Sequence, residues 1–541
     1  MRRGPLPSWL VPAGFCFVAA LGWLLLIRQF GLDGGGRPQA NLASAPLGPT
    51  TVRPPLRSET IELTSGVDDV LAPTLRVPSG QVELITDGSV WVDPRSAGRP
   101  WSDLGAVPGL LTFRGNPTRT FHGAGPVPTN PRIRWTVELG CSNSAVGSEN
   151  RLWCGTGWTG QPAVFAGPDG AWWLAVGAYN RAVNFLDPTT GGQTYPPYTT
   201  GDIIKGSVTV DPDGYPLVYS GSRDNKFHVL AIDGDGPREL WSLSADAVQP
   251  TLWNDDWDGS ALVVQGRLIV GGENGRFYVY ELNRGYGADG KVTVDPELAF
   301  TTETWDQPLL DALGDLDVSV EGSVAMSGDV VYFANSGGLV QGWDLGALDD
   351  GDTPGRVFRF WTGDDTDATV VVDGDGMLYV ASEFERSTVR SVAVGQIMKL
   401  DPSRPTDPVV WSRAARALPE SGVWATPALH RGVVIVATNE GEVLGLEADT
   451  GDLLWQLSLP GPLWSSPVVV NDTLIQADCG GGLSGFDLTD PTVEPEPLWN
   501  VQLDGCIEST PAVWGGWIFV GSRSGRFYAV ADAPSARATG D

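Results

Sequence analysis

Histidine is nearly absent from this chain, with three copies (His122, His228 and His430) in 541 residues. None lies beside a nucleophile motif, so a Ser/His/Asp arrangement has no basis here. Cysteine is also sparse. The five copies include no adjacent pair and no Cys-x-x-Cys, and with so few histidines a zinc site is not expected. Positive charge is the third shortage: 35 Lys and Arg face 65 Asp and Glu, for a formal net charge of −30. Residues 1–57 carry six arginines against Asp33, so the remainder carries −35. Such a surface repels phosphate backbones, which argues against a nucleic-acid partner and leaves cations such as Ca²⁺ open. Long apolar runs are missing too, with one exception. Trp9 to Ile27 is free of charge and as a helix would span roughly 28 Å, enough for a bilayer core.

That exception predicts a transmembrane anchor over residues 1–28. The small-residue stretch Ala43-Ser44-Ala45 lies too far beyond the apolar run for a signal-peptidase site, and Arg28 follows the run directly. Arg2 and Arg3 then face the cytoplasm and the rest of the chain is extracytoplasmic, a single-pass arrangement at the cell membrane. Residues 29–58, rich in Gly and Pro, read as a flexible linker. Residues 59–110 form an accessory segment of undecided role, and residues 533–541 a disordered tail.

What the chain has in abundance is Gly (70), Pro (42) and Trp (22), together with a repeated pattern of short strands and turns. Copies start near Gln161, Gly206, Gly259, Gly322, Ala368, Ala425, Ser465 and Ser509. Outer-strand aromatics recur at Trp135, Tyr195, Trp241, Phe300, Trp361, Trp411, Trp455 and Trp499. The 44-residue spacing from Trp411 to Trp455 and on to Trp499 is the length of a four-stranded propeller blade. The fold class expected is therefore all-β, an eight-bladed β-propeller over residues 111–532. Because Trp135 precedes the first full blade and the last blade lacks its own outer aromatic, an N-terminal strand should complete the C-terminal blade. Closure of that kind removes exposed sheet edges.

In such a ring the loops leading into the innermost strands share one face with the turns between second and third strands. These loops contribute Trp158 and Gln161, Lys205, Asp255, Asp256 and Trp257, Asp317 and Glu321, Asp364 and Asp365, Trp424, Trp464, and Glu508. Counting Asp202 beside Lys205, five of the eight loops carry carboxylates, Lys205 is their lone cation, and the tryptophans offer flat apolar surfaces. Crowded carboxylates raise one another's pKa or recruit a cation, so a cation-dependent or sugar-like ligand is expected at this mouth. Cys479 and Cys506 fall on the same face in a turn and the loop after it, and Cys141 and Cys154 flank one loop. Two disulfides with these pairings follow, consistent with an oxidising compartment. Asp-Gly stretches at Asp211–Pro216, Asp233–Gly236 and Asp373–Gly376 read as turns rather than calcium loops.

The segments LEADTGDLLWQL, FLDPTTGGQTY, IDGDGPRELW and FRGNPTRTFHG resemble the pyrroloquinoline-quinone (PQQ) repeat family. Asp449, Thr450, Gly451 and Trp455 match its Asp/Thr-Gly/Trp docking motif, as do Asp187, Thr190 and Gly191 with Tyr195 in place of Trp. The resemblance implies one of two functions. Non-catalytic members, similar to the propeller lipoprotein of the outer-membrane β-barrel assembly machinery, are scaffolds for protein partners. Quinoprotein dehydrogenases hold PQQ and Ca²⁺ on the propeller axis, between a vicinal disulfide and a Trp floor. The expectation here is a binding or scaffold module without catalysis and without a cofactor; the alternatives are a PQQ- and Ca²⁺-dependent dehydrogenase at the acidic mouth and a carbohydrate-binding envelope module.

Overall fold

A computed structural model describes residues 91–533, apart from 104, 106, 147–148, 159 and 418–420. Eight sheets form the blades of a propeller, each with four antiparallel meander strands. Blade 1 starts with the strand Ala163–Ala166, blade 2 with Thr209–Val210, blade 3 with Leu262–Val264 and blade 4 with Ala325–Ser327. Blades 5 to 8 start with Val371–Val372, Ala428–His430, Val468–Val470 and Ala512–Trp514. The outermost strand of blade 8 is Pro131–Glu138, paired antiparallel with the C-terminal strand Arg526–Asp532, so the two ends of the ring close in one sheet as expected. The transmembrane anchor and linker expected over residues 1–58 lie outside the described residues. Among those described, no helix is long and apolar enough to cross a membrane.

Inner strands are apolar on both faces, as in Val331–Phe333 and Val433–Ala437, because each blade is sandwiched between two others. Outer strands alternate, with one aromatic in seven of the blades sitting at a register shift. In blade 4 the aromatic at this position is Phe358 opposite Gly342. The assignment of Trp361 is thereby corrected: it lies at the end of its strand and donates from Nε1 to the carbonyl of Gly337. The strand has the same seven-residue length as its counterparts in blades 2 and 3, but it carries a second large aromatic, Trp361, three residues beyond Phe358.

The docking motif joins blades. Trp411 Nε1 donates to the Ala448 carbonyl of the following blade at 2.9 Å, and Gly451 (φ 76°) lies against the Trp411 ring, where an added Cβ would approach it to 2.6 Å. Any larger residue there would push the blades apart. Asp449 is not the turn's acceptor. Glu447 takes the Gly451 N–H on its carbonyl and the Thr450 hydroxyl on its carboxylate, as Asp187 does for Gly191 and Thr189. The Asp-Gly stretches are turns: Asp211 and Asp373 each accept backbone N–H groups two residues on and a Tyr hydroxyl from the next strand.

The channel is filled by the chain itself. Residues 109–124 enter beside blade 1, where Gly109–Leu110 pair with Val164–Phe165, and leave at blade 8, where Gly123–Ala124 run parallel to Val513–Trp514. Between these points the segment bonds to Val210, Met326 and Val372 of blades 2, 4 and 5. Strands Cys141–Val146 and Glu149–Cys154 pair with each other as a separate two-stranded sheet.

Candidate functional site

Eight inner strands can converge on an axis only if their first residues are small. A Cβ added at Gly206 would lie 2.0 Å from the carbonyl oxygen of Asp258 in the next blade, well inside contact distance. In seven of the blades the residue after this position carries a hydroxyl, and in five of them that hydroxyl ties the blade to the preceding one. Backbone N–H groups of Gln161, Ser260, Ser323, Thr369 and Thr426 donate to the side-chain oxygens of Ser207, Ser323, Thr369, Thr426 and Ser466, at 2.8–3.1 Å. Below this ring the channel floor holds two fully buried arginines. Arg114 donates to the carbonyls of Thr426, Pro427 and Pro467, and Arg119 to those of Val324, Phe113 and Ser260. Burial pulls both guanidiniums down to about 9, still charged at neutral pH.

Above the ring lies the mouth, lined by the loops entering the inner strands and by the turns between second and third strands. Lys205 contacts Asp258 and lies 3.6 Å from Glu273 and 3.9 Å from Glu321. Arg223 pairs with Asp256, whose carboxyl burial pushes up to about 6 against the pull of that guanidinium. Arg386 reaches Asp315 at 3.1 Å and both Asp317 and Asp365 at 3.6 Å. Burial, followed by the neighbouring Asp365 carboxylate, pushes Asp317 up to about 8. Arg523 pairs with Glu508 at 3.1 Å. Lys205 is therefore not the lone cation. The missed arginines come from the turns after second strands and from an insertion in blade 5. The Ser-Arg dipeptides of SGSRDNKF and VGSRSGRF, at equal positions in blades 2 and 8, were the available signal.

The other candidates divide between surface and support. Trp158 stacks on Trp424 (5.3 Å between centroids, 14° between planes), and Trp424 stands edge-on to Trp464 at 5.4 Å. Trp424 also donates to Asp367. These three rings close one side of the mouth over the axis. Trp257 is buried against Phe227 and Tyr278 between blades 2 and 3 and offers no face to a ligand. Gln161 is buried lower down, accepting the N–H of Arg114 and donating to the carbonyl of Pro511. Asp364 accepts the backbone N–H groups of Glu385, Arg386 and Ser387, and so shapes the turn that carries Arg386. Asp255 is half-buried. Both disulfides have the expected pairings, Cys141–Cys154 and Cys479–Cys506.

Two carboxylate sets have the spacing of a metal site: Asp258, Glu273 and Glu321, and Asp365, Asp367 and Glu383. In the second, Ser336 and Trp424 donate to Asp367 and Arg386 faces Asp365.

A family profile described as outer membrane protein assembly factor BamB matches residues 393–530. BamB from Moraxella catarrhalis aligns with a TM-score of 0.50 and 15% identity, over 72% of this chain and all of that one. Fold and repeat place the chain among the PQQ-like β-propellers. A europium-containing methanol dehydrogenase aligns with a TM-score of 0.53 and 13% identity, over 78% of this PQQ-like propeller and 98% of its own chain. The quinohemoprotein alcohol dehydrogenase ADHIIG from Pseudomonas putida HK5 aligns at 0.52 and 11%, over 79% and 81%. No curated protein matches the sequence. At these identities the likeness is one of fold.

The quinone itself does not fit the side chains of this propeller as they stand. The Trp158 and Trp424 faces cover one another instead of flooring a slot, the sequence has no adjacent cysteines to roof one, and the carboxylates that would bind Ca²⁺ already face ammonium or guanidinium groups.

Proposed function

We propose that this PQQ-like propeller is a membrane-anchored, extracytoplasmic scaffold whose mouth face docks a protein partner without catalysis. The observation that carries the reading is the self-satisfied mouth: its cations and carboxylates pair with each other, its tryptophans stack together, and the channel below is occupied by residues 109–124. A face of that kind is a surface to be covered. It also carries exposed apolar side chains, Trp253 and Leu316 in entering loops and Val389 at the start of the helix Val389–Val394, which suits a protein more than a small ligand. The anchor rests on the apolar run Trp9–Ile27, and the extracytoplasmic side on the two disulfides. The relative named as an outer membrane assembly factor points to an envelope protein as the partner class.

The test uses the full-length chain in its membrane. A photo-cross-linking residue at Val389 should give a discrete protein adduct, and one at Gly376 on the opposite face none. Purified protein reconstituted with PQQ and Ca²⁺ should not reduce dye with alcohol substrates. Dye reduction that depends on both additions would replace the scaffold reading with the dehydrogenase one.

A further inference from the structure

The carboxylates of Asp258, Glu273 and Glu321 come from the loop before blade 3, a turn within blade 3 and the loop before blade 4, and one oxygen of each lies within 4.8 Å of the others. Hard cations are held by oxygen sets of this kind. The Asp258 side chain is wholly buried, and apart from the Lys205 ammonium no described residue donates a hydrogen bond to either of its oxygens or to Oε1 of Glu273. What reaches all three carboxylates is one ammonium group, carried by Lys205 from the loop before blade 2.

We propose that Lys205 is a tethered cation, standing where Asp258, Glu273 and Glu321 would otherwise hold a divalent or trivalent metal ion, and that the mouth is metal-independent for this reason. A lysine ammonium is a compact point charge on a long stem, and its length lets it enter from the neighbouring blade. Burial alone would depress its pKa, but the three carboxylates outweigh burial and raise it well above the ordinary lysine value. The amine is therefore locked in its charged form and is no nucleophile. Buried carboxylates stripped of this partner would be left uncompensated, and a metal ion is the species able to replace the missing charge. The set at Asp365, Asp367 and Glu383 differs in having Trp, Ser and Arg donors around it.

The experiment compares the full chain with its Lys205→Ala variant in Tb³⁺ luminescence excited through tryptophan, and in thermal denaturation with and without Ca²⁺. The native chain should show no Ca²⁺-dependent rise in Tm and no Tb³⁺ emission that Asp258→Asn removes. Lys205→Ala should melt lower, recover in Ca²⁺ or Tb³⁺, and bind Tb³⁺ at least about tenfold more tightly than the native chain, a gain of 1.4 kcal/mol or more. Adding Asp258→Asn to this variant should abolish both recovery and emission. If Lys205→Ala does not fold, Lys205→Met, which keeps the stem's volume, is read the same way. Native-chain emission lost on Asp258→Asn would overturn the proposal, as would a folded Lys205 variant indifferent to both metals.

Discussion

The channel floor and the mouth both bury cations on one axis, and they satisfy them by opposite means. At the floor Arg114 and Arg119 point at backbone carbonyls, which are dipoles fixed by the strands and without a pKa. At the mouth Lys205, Arg223, Arg386 and Arg523 point at carboxylates, which titrate and sit on loops. The floor is thus part of the fold's framework, and the mouth is an electrostatic surface that pH and bound ions can alter. The same contrast appears in two histidines. His122 of the floor segment is held well below its ordinary pKa by burial and by Arg114, whereas His228, below a mouth-side turn, is raised because Asp224 and Glu239 outweigh burial.

Removing a floor cation should have the largest effect. Arg114→Ala strands three buried carbonyls and leaves a cavity, a loss of roughly 3–5 kcal/mol measured by urea denaturation, with little dependence on pH between 6 and 8; a strongly pH-dependent loss would erase the distinction drawn here. Next comes the mouth-side disulfide. Replacing Cys479 and Cys506 by Ser opens a crosslink between residues 27 apart and should cost about 3 kcal/mol, visible as a lower denaturation midpoint that reductant no longer shifts at this pair.

Thr426→Val should be milder. It takes away the acceptor for the Thr369 N–H in the hydroxyl ring and should lose roughly 1–3 kcal/mol, with Thr426→Ser restoring the native value. The smallest effect expected is that of His228→Gln, about 1 kcal/mol. Because the folded pKa of His228 lies above its unfolded value of about 6.5, its contribution is fully present below that pH and fades as pH rises through the folded pKa. His122, shifted the other way, contributes above the unfolded pKa and loses its contribution as pH falls. A His228→Gln deficit that grows with rising pH would contradict the assignment of a charged imidazole.

Blade count and ring closure were legible in the sequence because both are carried by local repetition: a small residue before seven of the eight inner strands, an aromatic in each outer one, and Trp135 ahead of the first complete blade. Trp361 was mistaken for the docking aromatic because its strand holds two large aromatics three residues apart, and Asp449 for the turn's acceptor because Glu447, two residues earlier, is not the motif's usual aspartate. Of the site, the loops bearing carboxylates and the two cysteine pairs were visible. The arginines Arg223, Arg386 and Arg523 were not, since they come from turns and an insertion that the loop-by-loop reading did not weigh. Nor did loop position reveal that Trp257 and Gln161 turn inward, because either orientation fits the same sequence.

The order of residues along the chain was enough to set the number of blades, their strand pattern and their closure, since each depends on neighbours within one repeat of about 44 residues. Which charges meet was decided only by the ring. Lys205 and Glu321 are separated by more than two repeats, and they face each other because the loops of successive blades are curved onto one axis, a geometry that no single repeat contains.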